Sequence, residues 1–265
     1  MLRPGVLSSS FVGELALAAS PDASSIRAIL LDVEGTTTPI DFVYRTLFPY
    51  ARRQARKFLS QHGSEASVRQ DVDGLRVQHQ ADAAANLEPP FWASDSPDVE
   101  LTSAVNYAHW LMDRDSKCAP LKSLQGKIWQ EGYAGGELRG QVFPDVPLAM
   151  SRWSRQGKRI CIYSSGSVLA QKLLFATTAA GDLTRWIHAH FDTSIGAKAE
   201  PQSYSRIADS LALAAPEIVF ISDVTKELDA AREAGMQTAL CVRDARPQEA
   251  GEGHPIVRSF DALFP

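Results

Sequence analysis

The chain is 265 residues long, with 27 Lys plus Arg against 31 Asp plus Glu and a formal net charge of -4. Hydrophobic residues at 45% and charged residues at 22% exclude a disordered, collagen-like or low-complexity chain and leave room for one large domain or a core with an insert. No basic excess exists to neutralise a nucleic-acid backbone, so a nucleic-acid partner is not expected, and a small anionic substrate would need a local site.

Residues 1–25 read as an N-terminal tail. Arg3 precedes Phe11-Val12 and a small-residue run from Ala16 to Ser20, but Glu14 interrupts the apolar stretch, which disfavours a cleaved signal. The first flat apolar run, 28–31, predicts a buried strand. From 41 to 140 the pattern is helical, at 42–60, 65–85, 99–112 and 122–130, broken by Pro89-Pro90 and Gly135-Gly136. About a hundred residues are too many for a connection, so 41–140 is expected to form a helical cap insert. Beyond it come a helix at 145–155, a strand at 160–163 and helices at 167–177 and 203–213. A strand at 218–221, a helix at 226–234 and a strand at 238–242 follow. Such alternation predicts an α/β fold with an open parallel sheet, its core formed by 26–40 and 141–265.

No window reaches the ~18 apolar residues of a membrane span, so no membrane partner is expected. Three widely spaced cysteines, Cys118, Cys161 and Cys241, argue against a disulfide framework and for a reduced, cytoplasmic setting. Cys161 and Cys241 fall in strand-like runs, where cysteine behaves as a small hydrophobe.

The chemistry lies just after the strands, where open α/β sheets bind ligands. The first ends in Asp32-Val33-Glu34-Gly35-Thr36-Thr37-Thr38-Pro39, the second in Ser164-Ser165-Gly166-Ser167, and the last but one in Ser222-Asp223. Lys198 lies in a loop between Gly196 and Pro201. A carboxylate can attack phosphorus, and a second one can serve as acid and then as base. Magnesium takes oxygen ligands, for which Asp32 and Asp223 are candidates. Hydroxyls and amides at Ser164 and Ser165 suit phosphate oxygens, and Lys198 offsets the accumulated charge.

These four motifs, in order, resemble those of the haloacid-dehalogenase superfamily of aspartate-dependent phosphatases, except that Glu34 stands where an aspartate is usual. That substitution narrows the resemblance to the enolase-phosphatase (acireductone synthase) family. So do Leu124-Gln125-Gly126-Lys127-Ile128-Trp129, Glu131-Gly132-Tyr133 and Gly136-Glu137-Leu138. Further matches are Tyr163-Ser164-Ser165-Gly166-Ser167, Ala170-Gln171-Lys172-Leu173-Leu174-Phe175, His190-Phe191-Asp192-Thr193 and Asp223-Val224-Thr225-Lys226-Glu227. The resemblance implies a three-layer, Rossmann-like core with an inserted helical cap. It implies conversion of 2,3-diketo-5-methylthiopentyl-1-phosphate to acireductone and phosphate in methionine salvage. One Mg2+ per chain would be held by Asp32, Glu34 and Asp223. Asp32 would be the nucleophile and Glu34 the acid/base, with Ser164, Ser165 and Lys198 binding substrate, and the chain would be a monomer. The group that moves the enolisation proton stays open between Glu34 and Lys198.

Plainer readings exist for the same residues. Ser164 to Ser167 can be a helix cap. Glu227 and Asp229 read as solvated helix positions. His188 and His190 form a His-x-His pair without a visible third ligand. Arg45, Arg52, Arg53, Arg56 and Lys57 read as a solvated face. Phe42, Phe48, Trp129 and Tyr133 read as insert core and cover. Two rival functions are a phosphatase for another small ester without enolisation, and a receiver-like phosphoacceptor module.

Overall fold

A computed structural model of the chain describes residues 24–243, 253–261 and 263–265; the tail at 1–23 lies outside the described residues. Its centre is a six-stranded, wholly parallel sheet in the order β3-β2-β1-β4-β5-β6. The strands are β1 (Ala28–Leu31), β2 (Arg159–Tyr163), β3 (Ile187–Phe191), β4 (Ile218–Ser222), β5 (Gln237–Cys241) and β6 (Ile256–Val257). β1 lies between β2 and β4, pairing Leu31 with Ile162 and with Ile221. The carboxyl ends of three strands therefore meet at one place. Every residue of β1 and β4 is buried, which is why both read as flat apolar runs.

Two strands were not expected. β3 lies at the sheet edge with His188 exposed, so its sequence alternates and carries polar residues. β6 is only two residues long.

Alternate faces of the strands bury two separate apolar clusters. Leu30, Cys161, Tyr163 and Phe220 face α8 (Pro201–Leu211) and α9 (Thr225–Glu233). Ile29, Leu31, Ile162 and Val219 face the side clad by α6 (Asp145–Arg155) and α7 (Val168–Ala176). The second cluster does not stop there. It continues through Phe42, Leu47 and Tyr50 to Leu75, Tyr107 and Trp129 of the helical segment.

That segment begins as α1 (Ile40–Phe42), passes through a π-helical turn at Val43–Leu47 and continues as α2 (Phe48–His62). A single regular helix was expected here. The widened turn has a local cause: Pro49 lacks an N–H, and its ring would press on the carbonyl four residues back, at Arg45. α3 (Ala66–Ala84), α4 (Pro97–Asp113) and α5 (Ala119–Ala134) complete the segment. α5 passes so close to α2 that a Cβ on Gly132 would lie 2.6 Å from the Tyr50 ring. Arg52 pairs with Asp113, and Arg56 donates to Thr102, in keeping with a polar outer face. No helix among the described residues is long and apolar enough to cross a membrane.

One buried brace connects the fold to its strand ends. Arg243, just after β5, donates to the Thr36 carbonyl through Nε at 2.9 Å and Nη2 at 2.7 Å. Its Nη1 meets Asp145 Oδ2 at 2.6 Å, which also accepts from the Phe260 amide at 2.6 Å. Burial works to raise the Asp145 pKa, but the Phe260 amide and Arg243 prevail and hold it below the usual carboxylate range. The stability tied to this group is present above the unfolded-state pKa and is lost as pH falls through the depressed one. Asp145→Ala, which leaves the Arg243 charge buried and unpaired, should cost about 3 kcal/mol in urea unfolding. The difference from the parent chain should shrink in acid; a pH-independent gap would contradict the assignment.

Candidate active site

Asp32 follows β1 and is 3% exposed. Its backbone N–H bonds to Ile221 O at 3.0 Å, which prolongs the β1–β4 ladder by one residue and fixes its carboxylate at the strand end. Oδ1 accepts from the Val33 amide at 2.8 Å and from Lys198 Nζ at 2.6 Å, while Oδ2 accepts from Ser222 Oγ at 3.2 Å. Behind it the chain makes a tight turn, with Gly35 N–H on Thr38 O. Gly35 has φ +73°, and a Cβ there would run into the Asp223 carboxylate. Glycine is thus required twice, for the backbone angle and for the approach of Asp223.

The Lys198 loop is held from beneath by tyrosines. Tyr163 Oη donates to Gly196 O at 3.0 Å, and Tyr204 Oη donates to Lys198 O at 2.7 Å. The ammonium is 2.6 Å from both Asp32 Oδ1 and Glu227 Oε2. Burial alone would depress its pKa, but Asp32 and then Glu227 outweigh it and raise the value, so Lys198 is a fixed positive charge.

Glu227 is the residue that the sequence pattern placed in solvent. Instead, α9 turns its side chain inward, where it is 16% exposed and lies 3.1 Å from Ser222 Oγ, whose single hydroxyl proton it shares with Asp32. Asp229, two residues on, does face outward and pairs with Arg232. A Ser-Asp strand end followed by an acid one turn into the helix was the available signal, but solvated helix acids carry the same pattern.

Ser164 Oγ donates to Glu34 Oε2 at 3.2 Å and accepts from the Gly166 amide at 3.0 Å. Ser165 lies beside it on the pocket wall, while Ser167 is the cap of α7, accepting from Ala170 N at 3.3 Å. His190 stays apart from this group. Its Nδ1 meets Gln171 Oε1 at 3.1 Å, and burial lowers its pKa to about 4.

Four carboxyls, those of Asp32, Glu34, Asp223 and Glu227, thus meet one ammonium. Burial first, and then the charge of Asp32, raises the Glu34 and Glu227 pKa values and brings Asp223 up to about 7. This unmet negative charge and hard oxygen donor set fit a divalent cation such as Mg2+. Among the described residues no three acidic, histidine or cysteine side chains form a cage unaided. Magnesium does not ask for one, since it is commonly held by one or two carboxylates with water and phosphate.

Above the strand ends lies a cavity. It is lined from the core by Glu34 and Ser164 to Ser167, and from the helical segment by the apolar Leu47, Phe48, Met112, Leu121 and Trp129 together with Lys117, Lys122 and Gln125. The Trp129 indole is fixed by a bond to Leu47 O at 2.8 Å.

The sequence matches the haloacid dehalogenase-like hydrolases over residues 26–235. Enolase-phosphatase E1 of Synechococcus elongatus is 46% identical over 239 residues, spanning 90% of this chain and 98% of that protein. Enolase-phosphatase E1 of Drosophila mojavensis is 42% identical over 243 residues, spanning 90% and 95%. The chain belongs to the enolase-phosphatase family of haloacid dehalogenase-like hydrolases. Like that family, it is a phosphoric monoester hydrolase. The crystal structure of UTR4 protein from Saccharomyces cerevisiae is 31% identical, with a TM-score of 0.72 over 90% of this chain and all of that one. CbbY from Rhodobacter sphaeroides, at 17% identity and a TM-score of 0.52, shares the fold.

For this family member, two substitutions probe the site. Gly35→Ala should leave a folded chain with activity reduced at least about tenfold, since a positive φ strains alanine by ~1–2 kcal/mol and its Cβ displaces Asp223. Glu227→Gln should lower turnover with the fold retained, since the amide keeps the shape of the side chain and Asp32 still pairs with Lys198. Full activity in that variant would return Glu227 to the status of a bystander.

Proposed function

We propose that the chain is a magnesium-dependent enolase-phosphatase that converts 2,3-diketo-5-methylthiopentyl-1-phosphate to acireductone and phosphate in methionine salvage. The observation that carries this reading is the convergence of Asp32, Glu34, Ser164, Lys198 and Asp223 beside a cavity that Glu34 and Ser164 line and whose helical side is largely apolar. The charged end suits a phosphate, and the wall of Phe48, Met112 and Trp129 suits a methylthioethyl tail.

In this reading Asp32, Glu34 and Asp223 hold Mg2+, which when bound offsets the charge on the transferring phosphoryl group. Asp32 attacks phosphorus, the bond from phosphorus to the C1 oxygen breaks, and Glu34 gives that oxygen a proton. Glu34 then takes a proton from water, whose oxygen attacks the phosphorylated aspartate and frees Asp32 and phosphate. Ser164, Ser165 and Lys198 hold the phosphate oxygens. Glu34 suits the double role because burial and Asp32 raise its pKa.

Residues 41–140 act here as a cap over the core of 26–40 and 141–265, closing the cavity against water. In this reading the chain works as a cytoplasmic monomer, as the family resemblance and the three widely spaced cysteines suggest.

The test is turnover of the diketone phosphate, with phosphate measured and the enol and acireductone followed by ultraviolet absorbance. Activity should vanish with a chelator and return with Mg2+. Phosphate release without any enol signal would favour a phosphatase for another ester. Asp32→Asn should reduce phosphate release by at least about a thousandfold with the fold retained, because the covalent route is lost. A variant keeping a tenth of the activity would remove Asp32 from the nucleophile's role.

A further inference from the structure

Enolisation needs more than the phosphatase machinery. Negative charge develops on the C2 oxygen, one carbon beyond the phosphate-bearing C1, and a positioned donor there lowers the barrier. Lys198 cannot serve that oxygen, because its ammonium is held at 2.6 Å by Asp32 and at 2.6 Å by Glu227, at the phosphate end.

Two lysines of the helical side, Lys117 and Lys122, border the cavity. Lys117 is 48% exposed and sits 2.5 Å from Asp115, so its charge is neutralised at the mouth. Lys122 is different. It stands half-buried on the first turn of α5, and its Nζ donates to Thr193 Oγ1 at 3.0 Å. Among the described residues no carboxylate comes within ion-pair distance of it; Asp192 acts only from farther away. Burial lowers its pKa, Asp192 opposes this and Lys117 adds to it. Gln125, one turn along the same helix, is buried and lines the same cavity. The bond to Thr193, in the loop after β3, ties this part of the helical segment to the strand that precedes the Lys198 loop.

We infer that Lys122 is a catalytic residue of the enolisation step, donating to the C2 carbonyl oxygen of the bound diketone within the cavity that Glu34 also lines. This rests on the enolase-phosphatase reading given above. The C1–H bond breaks and its proton passes to the Glu34 carboxylate. The bonding pair forms the C1=C2 double bond, and the carbonyl π pair moves to the C2 oxygen, which takes a proton from the Lys122 ammonium. Both groups then re-equilibrate with water, so no oxidant or reductant enters.

The test uses the full chain as Lys122→Gln and Lys122→Arg, with the diketone phosphate and with p-nitrophenyl phosphate, which cannot enolise. Lys122→Gln should slow enol formation by about a hundredfold or more, with p-nitrophenyl phosphate hydrolysis falling by less than about threefold. Deuterium at C1 should then slow its overall turnover more than it slows the parent enzyme's. Lys122→Arg, which keeps the positive charge, should recover part of the enolisation rate. Equal losses on both substrates, an unchanged isotope effect, or no difference between glutamine and arginine would each overturn the inference. A failure of the underlying reading shows separately, as a parent enzyme that forms no enol.

Discussion

The contact between Asp32 and Lys198 is the constraint on which the strand ends depend. It is a 2.6 Å charge pair with almost no solvent around it, and such a pair repays its desolvation only if its geometry is fixed and its remaining lone pairs are satisfied. Here the fixing is extensive. Val33 and Ser222 hold the carboxylate, while Tyr163 and Tyr204 hold the loop that carries the ammonium. The lysine still answers only part of the surrounding charge, since Glu34, Asp223 and Glu227 share the same burial. A phosphate added to this group would worsen the imbalance unless a divalent cation came with it. A chain of net charge -4 can therefore handle an anion without any basic surface, because the compensation is local.

The sheet topology makes this concentration of charge possible. With β1 between β2 and β4, three strand ends present side chains from distant parts of the sequence at nearly one level. Arg243 keeps the loop after β1 from moving by binding the Thr36 carbonyl, and Asp145 secures the arginine in turn. The helical segment then adds a largely apolar wall and, in Lys122, a cation with no carboxylate within ion-pair distance among the described residues. In the proposed reaction, phosphate-handling groups at the sheet and carbon-skeleton groups at the helices lie a few bonds of substrate apart.

Much of this arrangement is legible in the sequence because buried parallel strands are flat apolar runs, and polar residues directly after them are conspicuous. Asp32, Ser164 and Asp223 are found this way, and the resemblance orders them with Glu34 and Lys198. β3 is harder, since an edge strand with an exposed histidine lacks the flat pattern. Glu227 and Asp229 show the limit most plainly. They lie two residues apart on one helix with the same chemistry, yet Glu227 is buried against Lys198 while Asp229 is half exposed, between Arg232 and His254. Only tertiary placement distinguishes them. Lys122 is silent for the same reason, because its environment depends on how α5 meets the loop after β3. The π-helical turn comes from a proline whose effect falls on the residues before it.

The two faces of the sheet differ in their independence. The face covered by α8 and α9 completes its own packing, whereas the other shares one apolar mass with the helices that wall the cavity. Tyr107 and Leu75 lie in the same mass as Ile29 of the central strand. Selectivity and folding are thereby linked: mutations that reshape the interior of the helical segment for a different substrate tail draw on the same packing that supports β1. Sequence drift on that side should be slow, and inherited together in groups of residues.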